Sequence, residues 1–309
     1  MRVKILGSAA GGGFPQWNCA CPNCRALRAG TFNGKPRTQA QIAISADGRE
    51  WFLLGASPDL RAQIEATPEL HPRDGLRQSP IAGAVLLNAD IDHVLGLLLL
   101  RELQPLRVHA TKSVRRILTK DNSMFAMLQR VPNQVQWIEL QPGALFPLLN
   151  PSGEDSGLHC RSLPLGTHFP AYVSPPRRSQ LHPLEASLGL IIESSSGKRL
   201  GYMPAVPRFD ESMLKHFDSC DVLLFDGTFW SEDELIQIQG SGQTANDMGH
   251  TPVSGASGSL SRLAQVRRPR KIYVHINNTN PMLNETGPEH RQVRESGWEV
   301  AEDGWQFDL

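Results

Sequence analysis

The chain has 309 residues, 40% hydrophobic and 20% charged, which is enough for one large domain or two small ones. Lys plus Arg and Asp plus Glu each number 31, so the formal net charge is zero, which argues against nucleic acid or an anionic membrane as the main partner. No apolar run approaches the roughly 18 residues a spanning helix needs. The opening segment is broken by glycines too soon for a signal peptide, and five cysteines, an odd number, argue against a disulfide framework, so the expected compartment is the cytoplasm.

Arg2–Leu6 reads as a first strand and Gly7–Gly13 as a glycine-rich loop. No Gly-Lys-Ser/Thr follows that loop, so a phosphate cradle is disfavoured and close backbone passage is the better reading. Gln41–Ser45 and Trp51–Leu54 flank Asp47-Gly48 as a hairpin. Ser57-Pro58-Asp59 opens a helix over about 59–66. Ile81–Leu87 is a buried strand, and Val94–Leu100 is apolar on nearly every residue and reads as a packed helix. Leu106–Ala110 is a strand, Thr111 caps a helix over Lys112–Leu118, and 122–130 is helical. Val135–Leu140 is a strand, Asn150–Gly157 a polar loop, and Leu158–Pro164 a strand leading to His168. Tyr172–Pro183 is rich in Pro and Arg and reads as an exposed insertion or lid. Leu188–Glu193 and Lys198–Met203 form a hairpin. Asp221–Phe225 and Lys271–Val274 are buried strands ending at Asp226 and His275. A helix lies near Ser257–Val266, and 298–309 holds short edge strands. This order suits a single α/β domain over 1–309, a four-layer αβ/βα sandwich of two mixed sheets flanked by helices.

Asn88, Asp90, Asp92 and His93 stand where the central strand gives way to a helix, the end at which α/β sites are built. One Asp suffices to cap that helix; the surplus of polar ligand types points to a metal such as Zn, Fe or Mn. His168, Asp226 and His275 end three further strands. The row Asn88-x-Asp90-x-Asp92-His93 followed by Gly96 resembles the HxHxDH motif of the metallo-β-lactamase superfamily, with Asn and Asp in place of its first two histidines. The resemblance implies two half-sites. Asn88, Asp90 and His168 would form one, and Asp92, His93 and His275 the other, with Asp226 able to bridge. Asn is a poor ligand for a transition metal, which puts a two-zinc hydrolase centre in doubt. The second set, two His and a carboxylate, is the ligand set of non-haem Fe(II) oxygenases, with Zn or Mn as competing occupants.

Cys19, Cys21 and Cys24 place three thiols in one tight loop, while Cys160 and Cys220 read as buried fillers. Three thiolates need a fourth ligand to close a tetrahedral zinc site. Sandwich phosphodiesterases that the chain resembles pair such a cluster with a histidine, which implies His250. The site would be structural and would pin residues 14–28, with Phe14 and Trp17, near the active site.

Five stretches together resemble the family of coenzyme PQQ synthesis protein B: 6–19, 88–101, Phe225–Trp230, Met248–Pro252 and His275–Pro281. The resemblance implies a role in pyrroloquinoline quinone (PQQ) biosynthesis. The expected chemistry is iron- and O2-dependent hydroxylation of the tyrosine ring of a Glu-Tyr intermediate cut from a precursor peptide. Asp90 or His168 would orient the substrate or move protons, and other proteins of the pathway are candidate partners. A metallohydrolase acting on a pathway intermediate, or a carrier of PQQ or its precursor toward the periplasm, stays open. Trp17, Arg178 and Asn280 are further pocket candidates, each with a structural role as the simpler reading.

Overall fold

The computed structural model describes residues 1–102, 104–240 and 242–309. Its strands run β1 (Arg2–Gly7), β2 (Gln41–Ser45), β3 (Trp51–Leu54), β4 (Ile81–Val85), β5 (Leu106–Thr111), β6 (Val135–Leu140) and β7 (Leu145–Leu149). They continue as β8 (Asp155–Gly166), β9 (Ser187–Ser194), β10 (Arg199–Met203), β11 (Val222–Asp226), β12 (Arg270–Val274), β13 (Trp298–Val300) and β14 (Gln306–Asp308). The chain divides into two compact units. The first comprises Met1–Leu6, Gln41–Lys198 and Gly304–Leu309; the second comprises Gly7–Ala40 and Arg199–Asp303. Among the described residues no helix is long and apolar enough to cross a membrane.

In the first unit a mixed sheet is ordered β14-β1-β2-β3-β4-β5-β6. β2 and β3 form the expected antiparallel hairpin, and β3, β4, β5 and β6 are parallel. β4 is buried at every position, as its unbroken apolar run requires. Trp51, Leu53, Ala84, Val108 and Ala110 pack with Leu97, Val114 and Leu118 in one core. The helix over Lys112–Thr119 begins as expected, with the Thr111 hydroxyl accepting from the Val114 N–H at 3.2 Å. β7, β8 and β9 pair antiparallel in succession. β7 falls outside the sequence expectation because Pro147 interrupts its pattern, and β8 begins inside the segment expected as a loop.

The apolar run after β4 does not form one helix. Ile91–Val94 is a single α-helical turn, and Leu95–Leu100 continues as a 3₁₀-helix. The reason is a competing backbone pairing. The Ala56 N–H donates to the His93 carbonyl at 2.7 Å, and the Gly96 N–H donates to the Ala56 carbonyl at 2.9 Å, which diverts groups an α-helix would use internally. Gly96 permits this approach, since a Cβ there would lie 2.0 Å from the Ser57 carbonyl oxygen.

Most of the segment expected as an exposed insertion or lid is exposed, while its Val173 and Leu181 join the core of the first unit. The Arg178 guanidinium donates to the Val173 carbonyl at 2.7 Å and to those of Pro170 and Ala171 at 3.1 and 3.0 Å, so its role is structural.

The second unit is a parallel βαβ array. β10, β11, β12 and β13 pair parallel in succession. Helices over Glu211–Asp218 and Pro288–Glu295 make the first and last crossovers, and the shorter Glu234–Gln239 and Ser259–Arg262 lie in the middle one. Tyr273 stacks on Trp298 at 4.2 Å, and Phe209, Phe217 and Phe225 pack edge to face beside them. The register sets Asp226 opposite Val274, so Asp226 and His275 emerge at the same sheet end.

Gly96→Ala is expected to destabilise the protein by about 3 kcal/mol, because backbone rather than a flexible side chain must give way. Urea unfolding of the purified variant reads this as a lower midpoint at unchanged slope.

Candidate metal centres

In the second unit the ends of β11 and β12 carry a buried polar group of four side chains. Donor atoms of Asp226, His250 and His275 lie within 4.8 Å of one another. Thr228 organises them. Its Oγ1 lies 2.6 Å from Asp226 Oδ1, 2.8 Å from His275 Nδ1 and 3.1 Å from His250 Nδ1. A hydroxyl has one proton, and the carboxylate is the stronger acceptor, so Thr228 donates to Asp226 and accepts from His275 Nδ1–H. His250 Nδ1–H donates to Asp226 Oδ2 at 2.8 Å, and the two imidazoles stack at 5.4 Å. With both Nδ1 atoms engaged as donors, Nε2 is the ligand atom that each histidine offers.

Asp226 is fully buried. Its oxygens also accept from the Val206 and Thr228 N–H groups at 2.8 and 3.0 Å, so four hydrogen bonds fill its acceptor sites. Burial alone would raise its pKa, but attraction to and hydrogen bonding by His250, then attraction to His275 and the Thr228 bond, hold the carboxyl below its usual range. Asp226, expected to bridge ions, is grouped with His250 and His275 at metal-binding distance, and its carboxylate also orients the His250 imidazole and the Thr228 hydroxyl. His275 itself has φ +56°, a left-handed backbone that a non-glycine residue adopts only when its surroundings enforce it. Ile276 does so, donating to the Ser8 carbonyl at 2.9 Å and accepting from the Ala10 N–H at 2.8 Å.

In the first unit Asn88 is buried and its Oδ1 accepts from the Asp90 N–H at 3.2 Å, a local turn rather than a ligand pose. Asp90 occupies the N-cap position of Ile91–Val94, but its side chain makes no capping bond. The capping explanation for the acids therefore fails at Asp90. His93 is buried, with Nε2 3.7 Å from Asp92 Oδ2. His168 is exposed on the loop after β8 and joins no group of metal-ligating side chains among the described residues. The Tyr172 hydroxyl, which sequence reasoning passed over, donates to the Ala89 carbonyl inside the motif. Burial, and then the charge of Asp90, push its phenol up to about 12.

The cysteine trio is assembled, but not with His250. Cys19, Cys21 and Cys24 lie within metal-chelating distance of each other in the second unit. Cys21 caps the helix over Pro22–Arg28, accepting from the Cys24 N–H at 3.5 Å. The fourth side chain is Asn278, whose Nδ2 lies 3.1, 3.6 and 3.3 Å from the sulfurs of Cys19, Cys21 and Cys24. Its amide N–H groups donate to the sulfurs, which holds the trio in place without supplying a ligand. The expectation for His250 is therefore corrected: Asp226 and Thr228 hold it at the other group. The thiols divide in character. Burial, with side-chain hydrogen bonding by Cys19 and Cys24 and then the Cys24 charge, outweighs the Cys24 N–H bond and pushes Cys21 up to about 12; hydrogen bonds from Cys21, Cys24 and Asn278 outweigh burial at Cys19 and hold it below the usual thiol range. Three sulfurs around one point suit zinc. Trp17 is 85% exposed while Phe14 is buried, so the loop anchors through Phe14. Asn280 is fully buried and bonded to the Gly227 and Thr228 carbonyls, a structural role.

Residues 50–276 match the model of the beta-lactamase superfamily domain, and the chain belongs to that superfamily, an α/β sandwich of two mixed sheets flanked by helices. It is 42% identical over 309 residues to coenzyme PQQ synthesis protein B of Methylobacterium sp. (strain 4-46), and 43% identical over 310 residues to that of Azotobacter vinelandii, with 100% of both chains covered each time. The crystal structure of Zn2+-bound PqqB from Methylobacterium extorquens has 40% identity and a TM-score of 0.91, again over 100% of both chains. A diphosphatase of the PhnP family shares the fold at 17% identity and a TM-score of 0.67, covering 100% of this chain and 97% of that one. Within the superfamily, then, the chain is a member of the coenzyme PQQ synthesis protein B family.

Two outcomes follow from this chemistry. Cys21→Ser is expected to lose the zinc held by the trio and to lower the melting temperature, whereas Asn278→His, supplying an imidazole, retains it; metal analysis of both variants by mass spectrometry checks this. The second outcome concerns Glu234, buried where it accepts from the Trp230 N–H at 2.5 Å and from Thr279. Burial pushes its carboxyl up to about 7. A carboxyl raised on folding favours the folded state most at low pH, so its contribution falls as pH rises from about 4.5 to about 7 and is level above that. Glu234→Gln is expected to remove this slope in denaturation curves taken between pH 5 and 8.

Proposed function

We propose that the protein acts in PQQ biosynthesis as a metal-dependent oxygenase that hydroxylates the tyrosine ring of the Glu-Tyr intermediate. In this reading Asp92, His93 and His275 hold the ion. Family membership supports the pathway. The observation that carries the chemistry is the state of the other half-site: Asn88 spends its carbonyl on the Asp90 N–H, and His168 is exposed. In this reading Asn88 and His168 hold no second ion, and two imidazoles with one carboxylate are the set suited to a single Fe(II) with open positions.

Ferrous iron in such a set supplies O2 binding and electron transfer. The chain supplies the rest. Thr228 fixes the His275 tautomer, leaving Nε2 for the ion. Asp90, beside the Tyr172 phenol, is the carboxylate placed to take the proton of the substrate hydroxyl or ring. The overall change balances without an added reductant: phenol plus O2 gives the ortho-quinone plus water. One oxygen atom enters the ring, and the four electrons come from the substrate. Other pathway proteins would deliver the intermediate and take the product.

A metallohydrolase acting on a pathway intermediate is the second reading, favoured by the zinc in the Methylobacterium extorquens relative. One experiment separates the two. Protein loaded anaerobically with Fe(II) is mixed with the cross-linked Glu-Tyr compound and exposed to 18O2. The oxygenase reading expects one labelled oxygen per turn, loss of turnover on chelation, and none with His93→Ala. Turnover with zinc in the absence of O2 supports the hydrolase; no oxygen incorporation under any metal sinks the first reading.

A further inference from the structure

We infer that Asn23 is a positioning residue that transmits occupancy of the cysteine site to His275, so that the two metal sites of this protein bind with positive coupling. The inference rests on the reading above in its use of His275 as a ligand. Its geometry lies wholly within the second unit.

Asn23 stands between Cys21 and Cys24, in the first turn of the helix over Pro22–Arg28. Its Nδ2 donates to the Asn278 carbonyl at 3.2 Å and to the Asn280 carbonyl at 3.0 Å. One amide therefore ties the cysteine turn to both ends of a three-residue stretch that follows His275. The same stretch is fixed from two other sides. Asn278 reaches all three sulfurs with its side chain. Asn280 donates to the Gly227 and Thr228 carbonyls at 3.0 and 3.3 Å, and the Asn277 N–H donates to the Thr228 carbonyl at 3.0 Å. Thr228 in turn holds the His275 ring.

The left-handed backbone of His275 makes this linkage matter. A side-chain-bearing residue leaves that conformation unless neighbours hold it. An ion on the three sulfurs draws Cys19, Cys21 and Cys24 to one centre and fixes the helix turn that carries Asn23. Without the ion the three sulfurs lose their common partner, and the turn is held less firmly. The Asn23 bonds then stop opposing relaxation of 275–280, and the imidazole moves from its ligating position. Coupling of this kind is reciprocal: an ion on His275 also favours the ion on the cysteines.

The test uses the full chain with zinc on the cysteines, confirmed by elemental analysis, and titrates cobalt(II) into the second site by its weak visible bands. Sulfur-to-cobalt bands would report any exchange at the cysteines. Asn23→Ala is expected to keep its zinc and bind cobalt about 10-fold more weakly, the size of an outer-shell effect. Asn23→Asp, which cannot donate to either carbonyl, weakens it further. Cys24→Ser, lacking the cysteine-bound zinc, shows a similar loss. Wild-type cobalt affinity in folded Asn23 variants, or in Cys24→Ser, overturns the coupling. His275→Ala is the control for the underlying reading: if it binds cobalt as tightly as the wild type, His275 is no ligand, and the coupling falls with it.

Discussion

A single proton on the Thr228 hydroxyl decides the layout of the second unit's polar centre. Around that oxygen stand a carboxylate and two imidazoles, all buried. The proton goes to Asp226, which obliges the imidazole beside it to present an N–H. Asp226 spends its remaining capacity on His250 and two backbone N–H groups. A buried negative charge is tolerable only with such full satisfaction. The group thus fixes the orientation of both imidazoles through their Nδ1 atoms.

Strand ends were legible in the sequence because parallel, fully buried strands must be apolar throughout, and the first polar residue marks where they surface. Asp226 and His275 were found this way, as was the row from Asn88 to His93. The roles within that row were less legible. Nothing in its spacing distinguishes an Asn that ligates from one that closes a turn on the N–H two residues on; the Asp90 bond makes that distinction. His250 was assigned to the wrong group for a related reason. Three cysteines announce a missing partner, yet any of the ten histidines could supply it. Asn278 sits three residues after His275, in an Asn-rich stretch whose spacing does not show which amide faces the sulfurs. Thr228 lies inside the Phe225–Trp230 stretch, yet a threonine after Asp-Gly has no legible role until its neighbours in space are known.

Secondary structure failed where backbone groups found partners outside their own element. The apolar run at Val94–Leu100 has helical composition, but Ala56 takes the hydrogen bonds that would have extended the first turn. The short helices over Pro22–Arg28 and Pro288–Glu295 are highly charged or polar and show little apolar periodicity to read. They form because a proline at the start and, for the first, a cysteine cap set their opening turns.

The Ala56 pairing has a mutational corollary. His93 is fastened by its own main chain, through bonds that no side-chain substitution at Ile91, Leu95 or Leu99 removes. Those three positions are exposed. Substitutions on the outward face of this turn therefore leave the backbone that carries the His93 imidazole where it is. The glycine at 96 has no such freedom, because a side chain there would collide with the Ser57 carbonyl.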